Sequence, residues 1–271
     1  MALITISRGS FAGGKAVAEE LARRMSHPVL GREEVLAQAA RDYGIAEKEL
    51  TGALNESPPF WQQVPRARMA YVKCVTAVLL QHARQGNLVY HGHVGHLLLA
   101  GIGHVLRVRV IADMEMRVRS AMQRAGMGRD EAIAYIERVD RDRARWARLL
   151  YGVEWDDPHQ YHLVLNLGGI SVGGACDAIA RVAELPELRP TAESRRRLED
   201  LSLSCRVWAA LARDRQARSA GVQVVADDGR VTITGSVGSS AAAEAIQRIA
   251  GGVDGVKSLQ CEVGVGTDWY W

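Results

Sequence analysis

The hydrophobic pattern of the first 185 residues alternates between short apolar runs and longer stretches with helical spacing. Short apolar runs are typical of buried strands, and apolar residues that recur every three or four positions indicate one face of a helix. Strands are predicted at residues 3–7, 27–30, 88–90, 105–111 and 162–167, and helices at 15–25, 33–43, 65–85, 114–125, 129–151 and 172–185. This alternation predicts an α/β fold, with a parallel sheet covered by helices on both faces.

The pattern changes after residue 185. Pro186 and Pro190 bracket a segment that cannot continue a helix. Beyond it follow a helix with one apolar face, two strands flanking the hairpin signal Asp227-Asp228-Gly229, a helix over 241–250 and a strand over 256–265. This order predicts a small α+β module. The predicted organisation is a first domain over 1–185, a linker over 186–195, a second domain over 196–266 and an aromatic tail over 267–271.

Composition narrows the class of protein. The chain has 271 residues, of which 48% are hydrophobic and 24% charged, as in globular proteins. A net charge of +3 is too small to indicate a nucleic acid or a membrane as partner. The four cysteines form no C-x-x-C pair, and neither a transmembrane run nor a signal peptide is recognisable, so a cytoplasmic protein is expected. The oligomeric state is left open, a homo-oligomer included.

A glycine-rich loop separates the first predicted strand from the first helix. It fits the pattern G-x-x-x-x-G-K, in which glycines let backbone N–H groups converge on a phosphate and a lysine reaches the β- and γ-phosphates. The residue after the lysine is alanine, whereas a hydroxyl side chain at that position usually binds magnesium. The predicted phosphate-binding residues are Gly9, Ser10, Phe11, Ala12, Gly13, Gly14, Lys15 and Ala16.

These residues also carry a resemblance to a known family. The opening Ile4-Thr5-Ile6-Ser7-Arg8 with the Gly13-Gly14 loop resembles the cytidylate kinase-like proteins, and the likeness continues through 31–36, 89–92, 107–112, 140–143 and 161–166. It implies a P-loop nucleoside monophosphate kinase fold, with ATP as donor, a small nucleotide as acceptor (cytidylate by default) and Mg²⁺ as cofactor. Segments 231–237 and 252–256 resemble a BON domain, which implies a lipid or protein partner rather than catalysis.

An arginine-rich stretch lies within the predicted helix 129–151. Phosphoryl transfer needs cations that stabilise the developing charge, and a closing lid commonly delivers them. The resemblance places Asp140 and Arg143 in a D-x-x-R lid element. A solvated helix with internal ion pairs is the alternative interpretation. The predicted catalytic residues are Lys15, Arg138, Arg141 and Arg143.

Departures from the family pattern concern the acceptor and the metal. His93 stands where the family usually has an arginine after the third strand, and no carboxylate ends that strand, so the magnesium ligands are not identifiable. The nearby histidines favour a polar loop at the nucleotide cleft over a metal site, because no cysteine or carboxylate completes a ligand set. The predicted acceptor-side residues are Arg32, His91, His93, Asp140 and Asn166.

Two functions remain open from the sequence. The first is an ATP-dependent nucleoside monophosphate kinase. The second is a catalytically weak nucleotide-binding regulator, whose BON-like module reports the bound nucleotide to a partner.

Overall fold

A computed structural model describes residues 2–55, 66–217 and 220–266, with the backbone alone described at 53–55 and 66–68. The described chain divides into two compact units. The first comprises residues 2–34, 55 and 85–191, and the second 35–54, 66–84, 192–217 and 220–266.

The first unit is built on a parallel sheet of five strands. Its order is β2-β3-β1-β4-β5, and the register places Ser7 of β1 beside Gly92 of β3 on one side and Arg109 of β4 on the other. The chain leaves β1 towards one edge of the sheet and leaves β3 towards the other, which opens a crevice at the carboxyl ends of the strands. The strands are β1 (Leu3–Arg8), β2 (Val29–Gly31), β3 (Val89–Gly92), β4 (Val105–Ile111) and β5 (Leu163–Asn166).

Helices surround this sheet. The apolar side chains of β1 and β4 form a buried core with helices α1 and α8, as the apolar spacing of those segments predicts. A smaller cluster joins α6 and α7 through residues such as Val118 and Ile136. The helices that lie wholly in this unit are α1 (Gly14–Met25), α5 (Gly95–Leu98), α6 (Met114–Ala125), α7 (Arg129–Tyr151) and α8 (Val172–Ala183).

The second unit combines the segment between β2 and β3 with the carboxyl-terminal part of the chain. Helix α4 packs along α9, and a three-stranded sheet of order β6-β7-β8 covers a core that includes Val207, Ile233 and Ile246. Asp228 and Gly229 have positive φ angles of 46° and 81°, as a tight turn between antiparallel strands requires. Its elements are α2 (Arg32–Tyr43, which begins in the first unit), α3 (Glu47–Asn55), α4 (Arg66–Ala83), α9 (Ala192–Arg213), β6 (Gly221–Asp227), β7 (Arg230–Val237), α10 (Ser240–Gly251) and β8 (Ser258–Val265).

The predicted α/β class and the small second sheet with its helices are confirmed. Helices α3 and α5 were not predicted, because they are short and lack a long apolar period. The aromatic tail and most of the predicted proline break lie outside the described residues. None of the described helices has the length and apolar character that crossing a bilayer requires.

Candidate functional site

The glycine loop joins the end of β1 to the start of α1. Phe11 and Gly13 have positive φ angles of 59° and 84°, and the N–H of Ala12 donates to the carbonyl of Gly9 at 3.2 Å. Left-handed residues in such a turn direct successive N–H groups to one side, where an anion can be bound. The N-terminus of α1 adds a positive end of the helix dipole. The loop therefore has the geometry of a phosphate cradle.

Lys15 lies in the first turn of α1 with 59% of its side chain exposed. Its Nζ is 3.6 Å from the carboxylate of Glu19, a surface contact that restrains the amine weakly. The ammonium group is therefore able to reach a phosphate held by the loop. Ala16 follows it and contributes no oxygen ligand.

A partly buried ion pair supports the loop. The Nε of Arg117, on α6, donates to the carbonyl of Ser10 at 2.8 Å, and its Nη2 donates to Asp140 at 2.6 Å. Asp140, on α7, also accepts from the N–H of Ser10 at 3.5 Å. Only 12% of the Arg117 side chain is exposed. Asp140 was predicted as an acceptor-side residue, and the structure places it in contact with the glycine loop.

Three arginines converge beside the loop, and we call Arg8, Arg32 and Arg143 the arginine cluster. Nη1 of Arg143 donates to the carbonyl of Arg8 at 3.0 Å, which joins α7 to the end of β1. The side chain of Arg8 crosses Gly14 so closely that a Cβ there would lie 2.7 Å from the Cβ of Arg8. Burial and the positive charges of Arg8 and Arg32 lower the pKa of Arg143 to about 10.

Three histidines at and after the end of β3 are buried as neutral imidazoles. His93 lies between two tryptophan rings, with centroids 5.4 Å from Trp146 and 5.7 Å from Trp155, and His96 contacts Tyr161 at 4.6 Å. Burial, reinforced by nearby arginines, lowers the pKa of His91 and His93, and it lowers the pKa of His96 to about 3. These side chains therefore offer uncharged hydrogen-bonding groups at the carboxyl edge of the sheet.

The remaining predicted site residues lie apart from this group. Arg138 and Arg141 are exposed on α7, where Arg138 lies 5.5 Å from the ring of Tyr135. Asn166 ends β5, three strands away from β3, and its Oδ1 accepts from the N–H of Gly168 at 3.0 Å. The structure thus brings Arg32, His91, His93 and Arg143 to the crevice and leaves Asn166 at the other edge.

Two residues at the site were missed by sequence reasoning. Arg8 carried a signal, because a charged residue ends an otherwise uncharged buried strand. Arg117 carried none, since arginines at helical spacing are common along α6. Within the described ranges, no group of three or more His, Cys, Asp or Glu side chains is arranged to hold a metal ion.

A parallel sheet whose first strand leads through a left-handed glycine loop into a helix defines a P-loop kinase type of fold. Residues 3–168 match the model of the cytidylate kinase-like family, and the chain belongs to that family. Residues 199–267 match the model of the BON domain.

Known proteins agree with this assignment at low identity. A cytidylate kinase from Ignicoccus hospitalis is 24% identical over 184 residues, which cover 67% of this chain and 99% of that protein. A cytidylate kinase from Pyrobaculum calidifontis is 24% identical over 172 residues, covering 64% and 87%. The crystal structure of an uncharacterized protein from Eubacterium ventriosum matches with a TM-score of 0.51 at 18% identity, covering 68% of this chain and 99% of that one. This last similarity shows the fold alone.

Proposed function

We propose that the protein is an ATP-dependent nucleoside monophosphate kinase, with cytidylate as the first acceptor to test. The observation that carries the proposal is the joint placement of the glycine loop and Arg143 at the end of β1. The loop supplies a cradle for phosphate, and Arg143 supplies a partly buried positive charge next to it. Membership of the cytidylate kinase-like family supports the same reaction class.

The residues suggest how the transfer would proceed. Backbone N–H groups of the loop hold the β-phosphate of ATP, and Lys15 bridges the β- and γ-phosphates. An oxygen of the acceptor phosphate attacks the γ-phosphorus, the bond to the bridging oxygen breaks, and ADP leaves with that electron pair. Arg143 stabilises the charge that develops on the transferred group. The transfer needs no covalent intermediate with the protein.

Magnesium, when it accompanies ATP, would neutralise charge on the phosphates. The residues here do not form an evident protein site for it. Ala16 lacks a hydroxyl group, β3 ends in Gly92 rather than a carboxylate, and Asp140 is engaged with Arg117. We therefore assign no step to a protein-bound metal.

A second candidate is a nucleotide-binding regulator with little or no turnover. It is favoured by the contact between Asp140 and the N–H of Ser10, since the carboxylate occupies a loop donor that a phosphate would use. In this proposal nucleotide binding releases that contact, and the BON domain communicates the bound state to a protein or lipid partner.

Turnover separates the two candidates. We would measure it for the wild type and for Lys15→Ala in a coupled ADP-release assay with ATP, Mg²⁺ and a panel of monophosphates. We expect the wild-type protein to phosphorylate at least one monophosphate, and Lys15→Ala to lose at least about 1,000-fold of that rate. Lys48→Ala, an exposed residue of α3, is the matched control and should retain full activity.

Two results count against the kinase assignment. Turnover unchanged in Lys15→Ala would remove the glycine loop from the mechanism. Wild-type protein that binds ATP without consuming it, whichever monophosphate is added, would favour the regulator.

A further inference from the structure

The second unit carries a pocket that the proposed kinase reaction does not use. Its volume is about 410 Å³, which lies within the range of roughly 300–1,000 Å³ typical of small-molecule sites. It lies between one face of α9, the turn that joins β6 to β7 and the loop that leads into β8. We call it the α9 pocket. The lining residues that decide its chemistry are Asp200, Leu203, Arg206, Asp228, Asp254 and Gly255.

Most charged side chains around the α9 pocket already have a partner. The Nζ of Lys257 lies 2.8 Å from the carboxylate of Asp228, and the Nε of Arg84 donates to Glu199 at 2.9 Å. One oxygen of Asp200 accepts from the backbone N–H of Asp228 at 2.8 Å. These contacts hold the turn between β6 and β7 in place, and their charges largely neutralise one another.

Arg206 is a cation without a partner in this pocket. Its side chain is partly buried, its Nε is fully buried, and no described residue accepts a hydrogen bond from it or forms an ion pair with it. Its Nη2 would lie 3.2 Å from a Cβ at Gly255, a residue whose φ angle of 92° also favours glycine. A guanidinium that is removed from water without hydrogen bonds costs free energy, and a bound carboxylate would offset that cost.

Asp254 supplies the opposite charge. Its carboxylate is exposed and has no hydrogen bond or ion pair within the part of the chain that the structure describes. It directly precedes Gly255, the residue that the guanidinium of Arg206 approaches. The two unpaired charges therefore lie near each other without meeting, and a ligand between them could contact both.

The balance of charge selects the class of ligand. Four basic and four acidic side chains line the pocket, so its carboxylates would repel a multiply charged anion. One guanidinium pairs with one carboxylate through two parallel hydrogen bonds. An ammonium group donates three hydrogen bonds, which Asp254 and the second carboxylate oxygen of Asp200 can accept. Leu203 adds an apolar surface for the remainder of the ligand.

We propose that the α9 pocket binds a small zwitterion of the free α-amino acid class. Arg206 holds the carboxylate of the ligand, and Asp254 with Asp200 holds its ammonium group. These three residues all lie within the BON domain match, which makes that domain a small-molecule binding module. The proposal is independent of the kinase reaction, and binding involves no covalent step.

Calorimetry on the full chain, without ATP, would test the proposal with each of the twenty L-α-amino acids at pH 7. We expect at least one of them to bind with a Kd below about 1 mM. Its N-acetylated form and its methyl ester each lack one of the two charges, so each should bind at least about tenfold more weakly.

Two variants assign the binding to the α9 pocket. Arg206→Gln should weaken binding of that amino acid by about 30-fold, and Asp254→Asn by about tenfold, because each removes one charge. Arg197→Gln, exposed on α9, and Glu244→Gln, exposed on α10, are the matched controls and should retain wild-type affinity.

Several results would overturn the proposal. They are the absence of binding by every amino acid at about 10 mM, affinity that Arg206→Gln leaves unchanged, and tighter binding of phosphoethanolamine than of any amino acid. If Arg206→Gln does not fold, Asp254→Asn and the two blocked ligands decide, and unchanged affinity in all three comparisons overturns the site. A protein that binds an amino acid through Arg206 but shows no kinase turnover would contradict only the proposed function.

Discussion

The glycine loop and the arginine cluster meet at the end of β1, yet they are built in opposite ways. The loop consists of consecutive residues and binds through backbone N–H groups. The cluster consists of side chains from β1, α2 and α7, which lie far apart in the sequence. A site made of backbone is fixed by local conformation, whereas a site made of side chains depends on how separate elements pack.

This difference has consequences for substitution. Most side chains of the loop can change provided that the left-handed turn survives, because the donors are backbone atoms. Each member of the cluster is a charged group that no neighbour replaces. Apart from Lys15, the cluster should therefore be the more sensitive of the two regions to single side-chain replacements that preserve the backbone.

Within the arginine cluster, the largest effect is expected for Arg143→Gln, because Arg143 belongs to the cluster and also contacts the carbonyl of Arg8 beside the loop. The loss of a partly buried cation next to the transferred group should lower kcat/KM by about 100- to 1,000-fold. Steady-state kinetics with ATP and the best monophosphate would measure it. Arg129→Gln, whose partner on the surface is Glu115, is the control on the same helix. Equal activity of the two variants would contradict a special role for Arg143.

A smaller effect is expected for Arg117→Met. This variant tests whether ATP binding by the glycine loop depends on the side chains that support it. The change keeps most of the buried stem but removes the hydrogen bonds to Ser10 and Asp140. We expect ATP affinity to fall by about tenfold, with monophosphate affinity unchanged. Calorimetric titration with ATP would measure it, alongside Arg119→Met as the exposed counterpart. Stronger ATP binding in Arg117→Met would instead show that this ion pair opposes the nucleotide.

The smallest effect is expected in the pH dependence of stability. His96 is buried near Arg107 and Arg109 and against Tyr161, and its pKa falls from 6.5 to about 3 on folding. The unfolded chain therefore binds more protons than the folded one between these pH values, so stability present above pH 6.5 is lost as the pH falls. His91 and His93 act in the same direction.

Thermal melting from pH 7.5 down to pH 4.5 would show this loss. We expect the midpoint temperature of His96→Phe to decline less steeply than that of the wild type, since the phenyl ring has no proton to gain. Parallel curves for the wild type and His96→Phe would contradict the buried neutral state of His96.

The sequence predicts the glycine loop well because its information is local. The strand, the glycines and the lysine are consecutive, and their conformation follows from glycine's access to positive φ angles. Most strands and the hairpin at Asp228-Gly229 were predictable for the same reason.

The sequence predicts the supporting residues poorly because their partners are distant. Arg117 meets Ser10 across 107 positions, and Arg143 meets Arg8 across 135. On α7, Arg138 and Arg141 are indistinguishable from Arg143 by residue type, and only packing shows that Arg143 turns inward. The neutral state of the buried histidines could likewise not be derived from the sequence, since it depends on burial against aromatic rings from other segments.

The packing of α4 against α9 has a consequence for any attempt to divide the protein. The cytidylate kinase-like match ends at residue 168, so a cut in the linker would leave the whole of that match in the amino-terminal fragment. In that fragment, the buried side chains of α4, such as Ala70 and Cys74, would lose their carboxyl-terminal neighbours and become exposed. Such a fragment should aggregate when expressed alone, and co-expression of the missing piece should rescue it. The segments that match the two families therefore depend on each other to fold, although in the sequence they follow one another as two separate modules.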